Sequence, residues 1–402
     1  MADRQLSTAQ RLQHQLLEQA TGALPSCRAW LAQNQLPEPG AEAWKYSPIN
    51  RLYETLLESA TKAPASAVDM TVESAALDGQ AVDKKAAVEI QRFKRETAND
   101  THLQLPAELA ETFARAIDTQ RFPVAQALGC DLDEVIVIRI TGEPSKVIRI
   151  DQPSNGNQWL HVQLLDNAHA VLTERAVNAT GGGITSIELA KGAKLTHTCN
   201  FQSATDVSWR LNSVSLGPSS TYELHQASLG GRLQRIDNHI RLQAAGAQAR
   251  LVGCALCDSD NRSDLQNVVE HVAPNCASQQ RYHGVANHSG NLTFGGRIHI
   301  HEGATGTNAH LTNANLVLDD RAQINTKPEL EIYNDDVSCS HGATIGRLDE
   351  EALFYLTSRG IDNLRAQSLL LAAFVKDAIG GPDADAMHQK IDEMLGTWTT
   401  AT

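Results

Sequence analysis

VIVIRI at 135–140 and VIRI at 147–150 mark where the chain changes from a helical hydrophobic period to a period of two. Alternation of this kind belongs to extended strands, whose successive side chains point to opposite faces. Downstream, a short unit of two apolar residues flanking one other recurs, as VQL from 162, IEL from 187, VSL from 214, IRL from 240, IHI from 298 and LVL from 316. The steps are 25, 27, 26, 58 and 18 residues, the long one being read as two or three turns with a degenerate unit. Recurrence at this length signals a solenoid. No LxxLxLxxN signature and no long amphipathic helix occurs between 131 and 345, whereas short strands, small residues and Gly or Asn turns do. A parallel β-helix is therefore expected, with an antiparallel sandwich as the competing arrangement.

On either side the helical period prevails. Leu12, Leu16 and Leu17 follow a Ser7-Thr8 cap, and further helices are read over Val82 to Lys94 and Ala107 to Asp118, with 63–81 as an irregular connection. Past Gly346, Asp349 is placed to cap a helix that runs to Arg359, with Leu348 and Leu353 as a hydrophobic staple and Gly360 as its left-handed stop. Asp362 starts a second helix, and a third runs from Asp383 to about Leu395. The expected organisation is a mainly helical segment 1–130, a β-helix core 131–347 and a helical segment 348–402. Because open solenoid ends need covering, the helices are expected to cap the two ends.

Composition narrows the function classes. The chain has 402 residues, ample for two or three domains, and 34 Lys and Arg against 47 Asp and Glu give a formal charge of −13. Such a surface repels phosphates, against a nucleic-acid or anionic-membrane binder. MADRQLSTAQ lacks an apolar signal-peptide core, and the longest apolar run, Leu369 to Val375, is far short of the ~20 residues of a membrane span. Seven scattered cysteines without a disulfide framework fit a reducing cytoplasm.

The usual nucleotide, protease and hydrolase signatures are absent. Gly181-Gly182-Gly183 reads as a tight coil corner, and Cys254 and Cys257 as core residues, because strand positions i and i+3 face opposite ways. His299 and His301 share a strand face and offer two metal donors or simply a polar face; His271, His283, His288 and His310 enrich the same half of the chain. The segment PELEIYNDDVSCSHGATIG at 328–346 is the most specific. If extended, it puts Cys339 and His341 on one face two residues apart, a thiol and an imidazole suited to iron or zinc but too few to close a site. The other reading is a buried cysteine and a hydrogen-bonded histidine in the last coil.

PELEIYNDDVSCSHGATIGRLDEEALFYLTSRGI (328–361) with RAQSLLLAAF (365–374) closely resembles the C-terminal signature of the SufB/SufD family of iron-sulfur cluster assembly proteins. VVEHVAPNCASQQRYHGV (268–285), GRIHI (296–300) and NANLVLDDRAQINTKPELEI (313–332) resemble the family in order and spacing, as does AWKYSPINRLYE (43–54) more weakly. DDVSCSHGAT is similar to the SufD-like branch. The resemblance implies a mainly β, right-handed parallel β-helix between helical segments. It implies a noncatalytic subunit that pairs with a SufB-like paralogue through its last coils and docks a SufC-like ATPase through its C-terminal helices. Within it, His341 and less securely Cys339 would face a nascent iron-sulfur cluster, held transiently and shared with the paralogue. A share in iron acquisition, and a homodimer of the isolated chain, belong to the same expectation. Arg359, Gly360, Leu364, Arg365, Leu369 and Phe374 are the residues chosen for ATPase docking. The rival readings are a scaffold without metal ligands and a β-helix enzyme acting on polysaccharide.

Overall fold

The computed structural model describes residues 6–19, 24–59, 69–74, 87–94, 103, 105–118, 121–143, 146–152, 156–177, 180–203 and 207–398. It is a parallel β solenoid with helices contributed by both terminal segments. The first sheet takes β1 (Asp69–Ser74), β4 (Lys146–Gln152), β6 (His169–Val177), β8 (Lys194–Ser203), β10 (Thr221–Gly230), β12 (Gln248–Cys257), β14 (Ala277–Ala286), β16 (Thr307–Val317) and β18 (Val337–Gly346), in that spatial order. The second runs β2 (Ala87–Lys94), β3 (Glu134–Thr141), β5 (Gln158–Leu164), β7 (Gly181–Leu189), β9 (Val207–Leu216), β11 (Leu233–Leu242), β13 (Arg262–His271), β15 (Asn291–Ile300) and β17 (Gln323–Ile332). From β3 onward every ladder is parallel; β1 on β4 and β2 on β3 are antiparallel and finish the first coil.

The repeated apolar unit is one column of this lattice. Val162 pairs with Ile187, Ile187 with Val214, Val214 with Ile240, Ile240 with Val269, Val269 with Ile298 and Ile298 with Leu330. The step of 58 is thus two coils, whose middle unit is VEH at 269–271. LVL from 316 lies in β16 of the other sheet and is out of phase with the rest. These side chains point inward into a core of Ile, Val, Leu and Ala, because each coil offers only a narrow interior to fill. At one corner Asn167, Gly192, Ser219, Gly246, Asn275 and Gly306 all have positive φ, and each N–H bonds to a carbonyl of the next coil. Asn and Gly are the residues that accept this backbone most readily, which explains their recurrence there.

The helices differ from expectation in their place. They lie along the flanks of the solenoid and leave its last coil bare. α1 (Thr8–Gln19), α2 (Pro25–Gln33), α3 (Ile49–Ser59), α4 (Ala107–Ala116) and α5 (Pro123–Cys130) bury a second core against the outer face of the second sheet, around Trp159, Trp209 and Ile184. Trp44 of the AWKYSP segment stacks on the buried guanidinium of Arg235 at 3.8 Å, and Ser47 donates to Asp264 beside it. α7 (Asn363–Lys376) and α8 (Ala384–Trp398) cover Ala227, Leu229, Cys254, Leu256 and Val285 on the first sheet. The helix expected over Val82 to Lys94 is instead strand β2 from Ala87, where Val88 and Ile90 turn to the core and pairing with β3 outweighs the helix propensity of Glu89, Gln91 and Lys94. Residues 82–86 lie outside the described residues. Of the connection read as irregular, 69–74 is β1 and 63–68 and 75–81 are outside them too. No helix among the described residues is long and apolar enough to cross a membrane.

The lattice grades stability along its axis. Leu251, fully buried between Leu224 and Gln280, contrasts with Ile345, 50% exposed on β18. Leu251→Ala should lower unfolding free energy by about 2–5 kcal/mol and Ile345→Ala by under about 1 kcal/mol, read as shifts of the urea midpoint. Equal shifts would mean that the last coil is packed like the middle.

Candidate functional site

β17 and β18 are the last strands of their sheets, and no described strand pairs with their outer edges. Register sets what they present. Cys339 lies beside Ala309 and His341 beside Leu311, both fully buried core residues, so thiol and imidazole turn toward the coil interior. Without a further coil to cover them, His341 is exposed and Cys339 half-buried against the main core. Burial pushes the Cys339 thiol up, partly countered by a hydrogen bond from the Ala309 backbone. Ser340 faces outward, 2.7 Å from His310 Nδ1.

Around the pair, Ile324, Pro328 and Leu330 of β17 are half-buried, while Ile332, Tyr333 and Ile345 are 43%, 60% and 50% exposed. Pro328 removes one backbone donor, a substitution tolerated at a sheet edge. The coil is held to the one before it through Thr326 Oγ1, which donates to Asn313 Oδ1 at 2.8 Å, and Asn315 Nδ2, which donates to the Thr344 carbonyl at 3.0 Å. Cys339 and His341 join no third His, Cys, Asp or Glu donor among the described residues. Chemically they are two donors of an incomplete set, one soft and one borderline.

Only Arg347 and Leu348 separate β18 from the Asp349 cap of α6 (Glu350–Ser358). Asp349 Oδ1 accepts from the Glu351 and Ala352 amides, Asp362 caps α7 through the Arg365 amide, and Gly360 has φ +88°. Arg359, Gly360, Leu364, Arg365 and Leu369 are exposed. Phe374 is half-buried: its ring stacks on His283 at 4.5 Å, and its carbonyl accepts from His283 Nδ1 at 2.6 Å. Phe354 and Tyr355, passed over in the sequence, are 74% and 58% exposed, and Arg359 lies 5.2 Å over the Tyr355 ring.

The remaining sequence candidates resolve as structure. Cys254 lies under the C-terminal helices and Cys257 in the solenoid core, on opposite faces, both fully buried. Gly181 to Gly183 begin β7, with Gly182 against Leu128 of α5. His299 and His301 stack at 4.2 Å, and His301 Nε2 lies 3.7 Å from Glu270. His271 pairs with Ser278, and His288 with Asp258. Sequence reading missed a buried group, Glu174, His197 and Cys199, because Glu174 is 23 and 25 residues away from the other two and only register joins them.

A family model described as SUF system FeS cluster assembly, SufBD core domain, matches residues 151–374. The chain is 28% identical over 417 residues to the iron-sulfur cluster assembly protein SufD of Escherichia coli, covering 97% of this chain and 96% of that one. It is 32% identical to the SufBD family protein slr0076 of Synechocystis over 49% of this chain and 44% of that one. Similarity to the iron-sulfur cluster assembly protein SufB of Bacillus subtilis, 28%, spans 39% of this chain and 34% of that one.

All seven cysteines are free, and Cys339 alone is not buried. Iodoacetamide on the native chain should therefore modify one thiol quickly, at Cys339, with a rate still climbing above pH 9 because the reactive thiolate is disfavoured there. Peptide mapping reads it; fast labelling of a second cysteine would contradict this burial pattern.

Proposed function

The chain belongs to the SufB/SufD family of iron-sulfur cluster assembly proteins, as a homologue of SufD, and from that premise we propose that it is a noncatalytic scaffold subunit whose bare last coil pairs with a SufB-like paralogue. The carrying observation is that coil: two strands of ten residues each whose outer edges no described strand pairs, an exposed apolar rim, and a thiol-imidazole pair needing donors from elsewhere. A second chain with a similar solenoid end would meet the open backbone groups and the rim together. In this reading the nascent cluster is cargo held between the two chains, with His341 as the surer ligand of this chain and Cys339 as the second. A site split between subunits opens when they separate, which suits assembly followed by release.

The exposed face of α6 and α7 docks a SufC-like ATPase, with Phe354 and Tyr355 added to Arg359, Leu364, Arg365 and Leu369. Since β18 and α6 are joined by a two-residue link, nucleotide-driven movement of the ATPase reaches the cluster strand over a short path. We propose a cytoplasmic setting for this work, with a share in iron acquisition through the same ligands.

His341→Ala, in a complex that still assembles and hydrolyses ATP, should lower cluster yield at least about tenfold, as loss of a metal ligand would. Wild-type yield, measured as iron and sulfide per complex, would leave a scaffold without ligands. Arg365→Glu should weaken capture of the SufC-like ATPase by about tenfold while the chain stays folded; unchanged capture would move docking to another face.

A further inference from the structure

Inside the solenoid, register places Glu174 of β6 beside Cys199 of β8, and His197 lies two residues before Cys199 on the same inward face. His197 Nε2 is 2.8 Å from Glu174 Oε1 and 3.2 Å from Cys199 Sγ. All three residues are at most 1% exposed. Among the described residues this is the one group of three His, Cys, Asp or Glu donors whose ligand atoms lie within 4.8 Å of one another. The surroundings hold each donor in place: Tyr222 OH is 2.9 Å from His197 Nδ1, and Thr185 Oγ1 donates to Glu174 Oε2 at 3.0 Å.

As a hydrogen-bonded cluster alone this arrangement is costly. A carboxylate and a thiol sit among Leu172, Leu195 and Leu224, with the buried Arg210 as the neighbouring counter-charge of Glu174. Filling the same space with apolar side chains would cost less.

We infer that Glu174, His197 and Cys199 bind one divalent cation of the zinc or iron(II) class through Oε1, Nε2 and Sγ. Sulfur, nitrogen and oxygen donors together match borderline metals, and tetrahedral ligation asks for donor separations of about 3.3–3.6 Å, slightly longer than the two that His197 makes. Carboxylate and thiolate cancel the two charges of the metal, and the guanidinium of Arg210, which Glu174 supports electrostatically, is then the one net charge beside the site. On binding, the Cys199 proton leaves to solvent, and His197 carries its proton on Nδ1, donated to the Tyr222 oxygen, the second-ligand arrangement typical of metal-bound histidine. Three protein ligands leave a fourth position for water. β8 and β18 are five strand spacings apart, about 24 Å, so this site is separate from Cys339 and His341.

The test expresses the full chain with Cys339→Ala and His341→Ala, both at the bare coil, in cobalt-supplemented minimal medium so that the site fills during folding. Anaerobically purified protein should hold one cobalt per chain and display a thiolate-to-cobalt charge-transfer band, which Cys199→Ser in the same background abolishes. Absence of cobalt, or a band that survives Cys199→Ser, overturns the site. If the Cys199→Ser chain does not fold, X-ray absorption of the parent decides: one sulfur with nitrogen and oxygen neighbours supports the site, and a shell without sulfur overturns it.

Discussion

A parallel coil satisfies its backbone only through its neighbours. In this solenoid each strand from β5 to β16 both donates to and accepts from the coils on its two sides, and the whole molecule follows from that dependence. At the first coil two antiparallel strands from the N-terminal segment, β1 and β2, finish the ladders. At the last coil nothing described does so. The side chains follow the backbone, grading from fully buried at Leu251 to half-exposed at Ile345. Ordinary edge protection is thin there: Pro328 and the Lys327 ammonium, paired with Glu42 and Glu329, blunt β17, while β18 carries Cys, Ser, His and small residues.

The interior is not purely apolar. Asn212, Asn238 and Asn267 stack in register and bond to one another at 2.8 Å, with Gln226 and Gln280 reaching across from the first sheet. Identical amides on successive coils satisfy each other as the backbone does, and so can be buried without water. The ladder lies alongside the column from Val162 to Leu330, and together they pin the coil register, because a shift of two residues would set Asn212 against Ile236 or Ile240. Such a rigid rod places a terminal strand reproducibly, which a site completed by another chain requires.

Much of the fold was legible because register repeats. The VQL, IEL, VSL, IRL and IHI units are the solenoid column, and the caps at Asp349, Asp362 and Gly360 are local chemistry that three or four residues specify. What was not legible depended on distance in space. Helices at the two ends of the sequence were read as lying at the two ends of the rod, yet they pack on its sides, around Trp159 and under Leu371. β2 reads as a helix because its core contacts, Val88 and Ile90, are few and its other residues favour helix. Cys339 and His341 could be grouped in advance because they are two residues apart on one strand, whereas Glu174 meets His197 and Cys199 only across coils, and the Phe374 ring stacks on His283.

The central claim is that the last coil is incomplete until a second chain meets it. Amide hydrogen exchange over 323–332 and 337–346, followed in the monomeric chain and again with a SufB-like partner, tests this most directly. The account predicts fast exchange in these strands alone, against slow exchange in β12 and β13, and slowing by about 100-fold when the partner binds. Strong protection of both strands in the monomer, or partner binding that leaves their exchange unchanged, would contradict it.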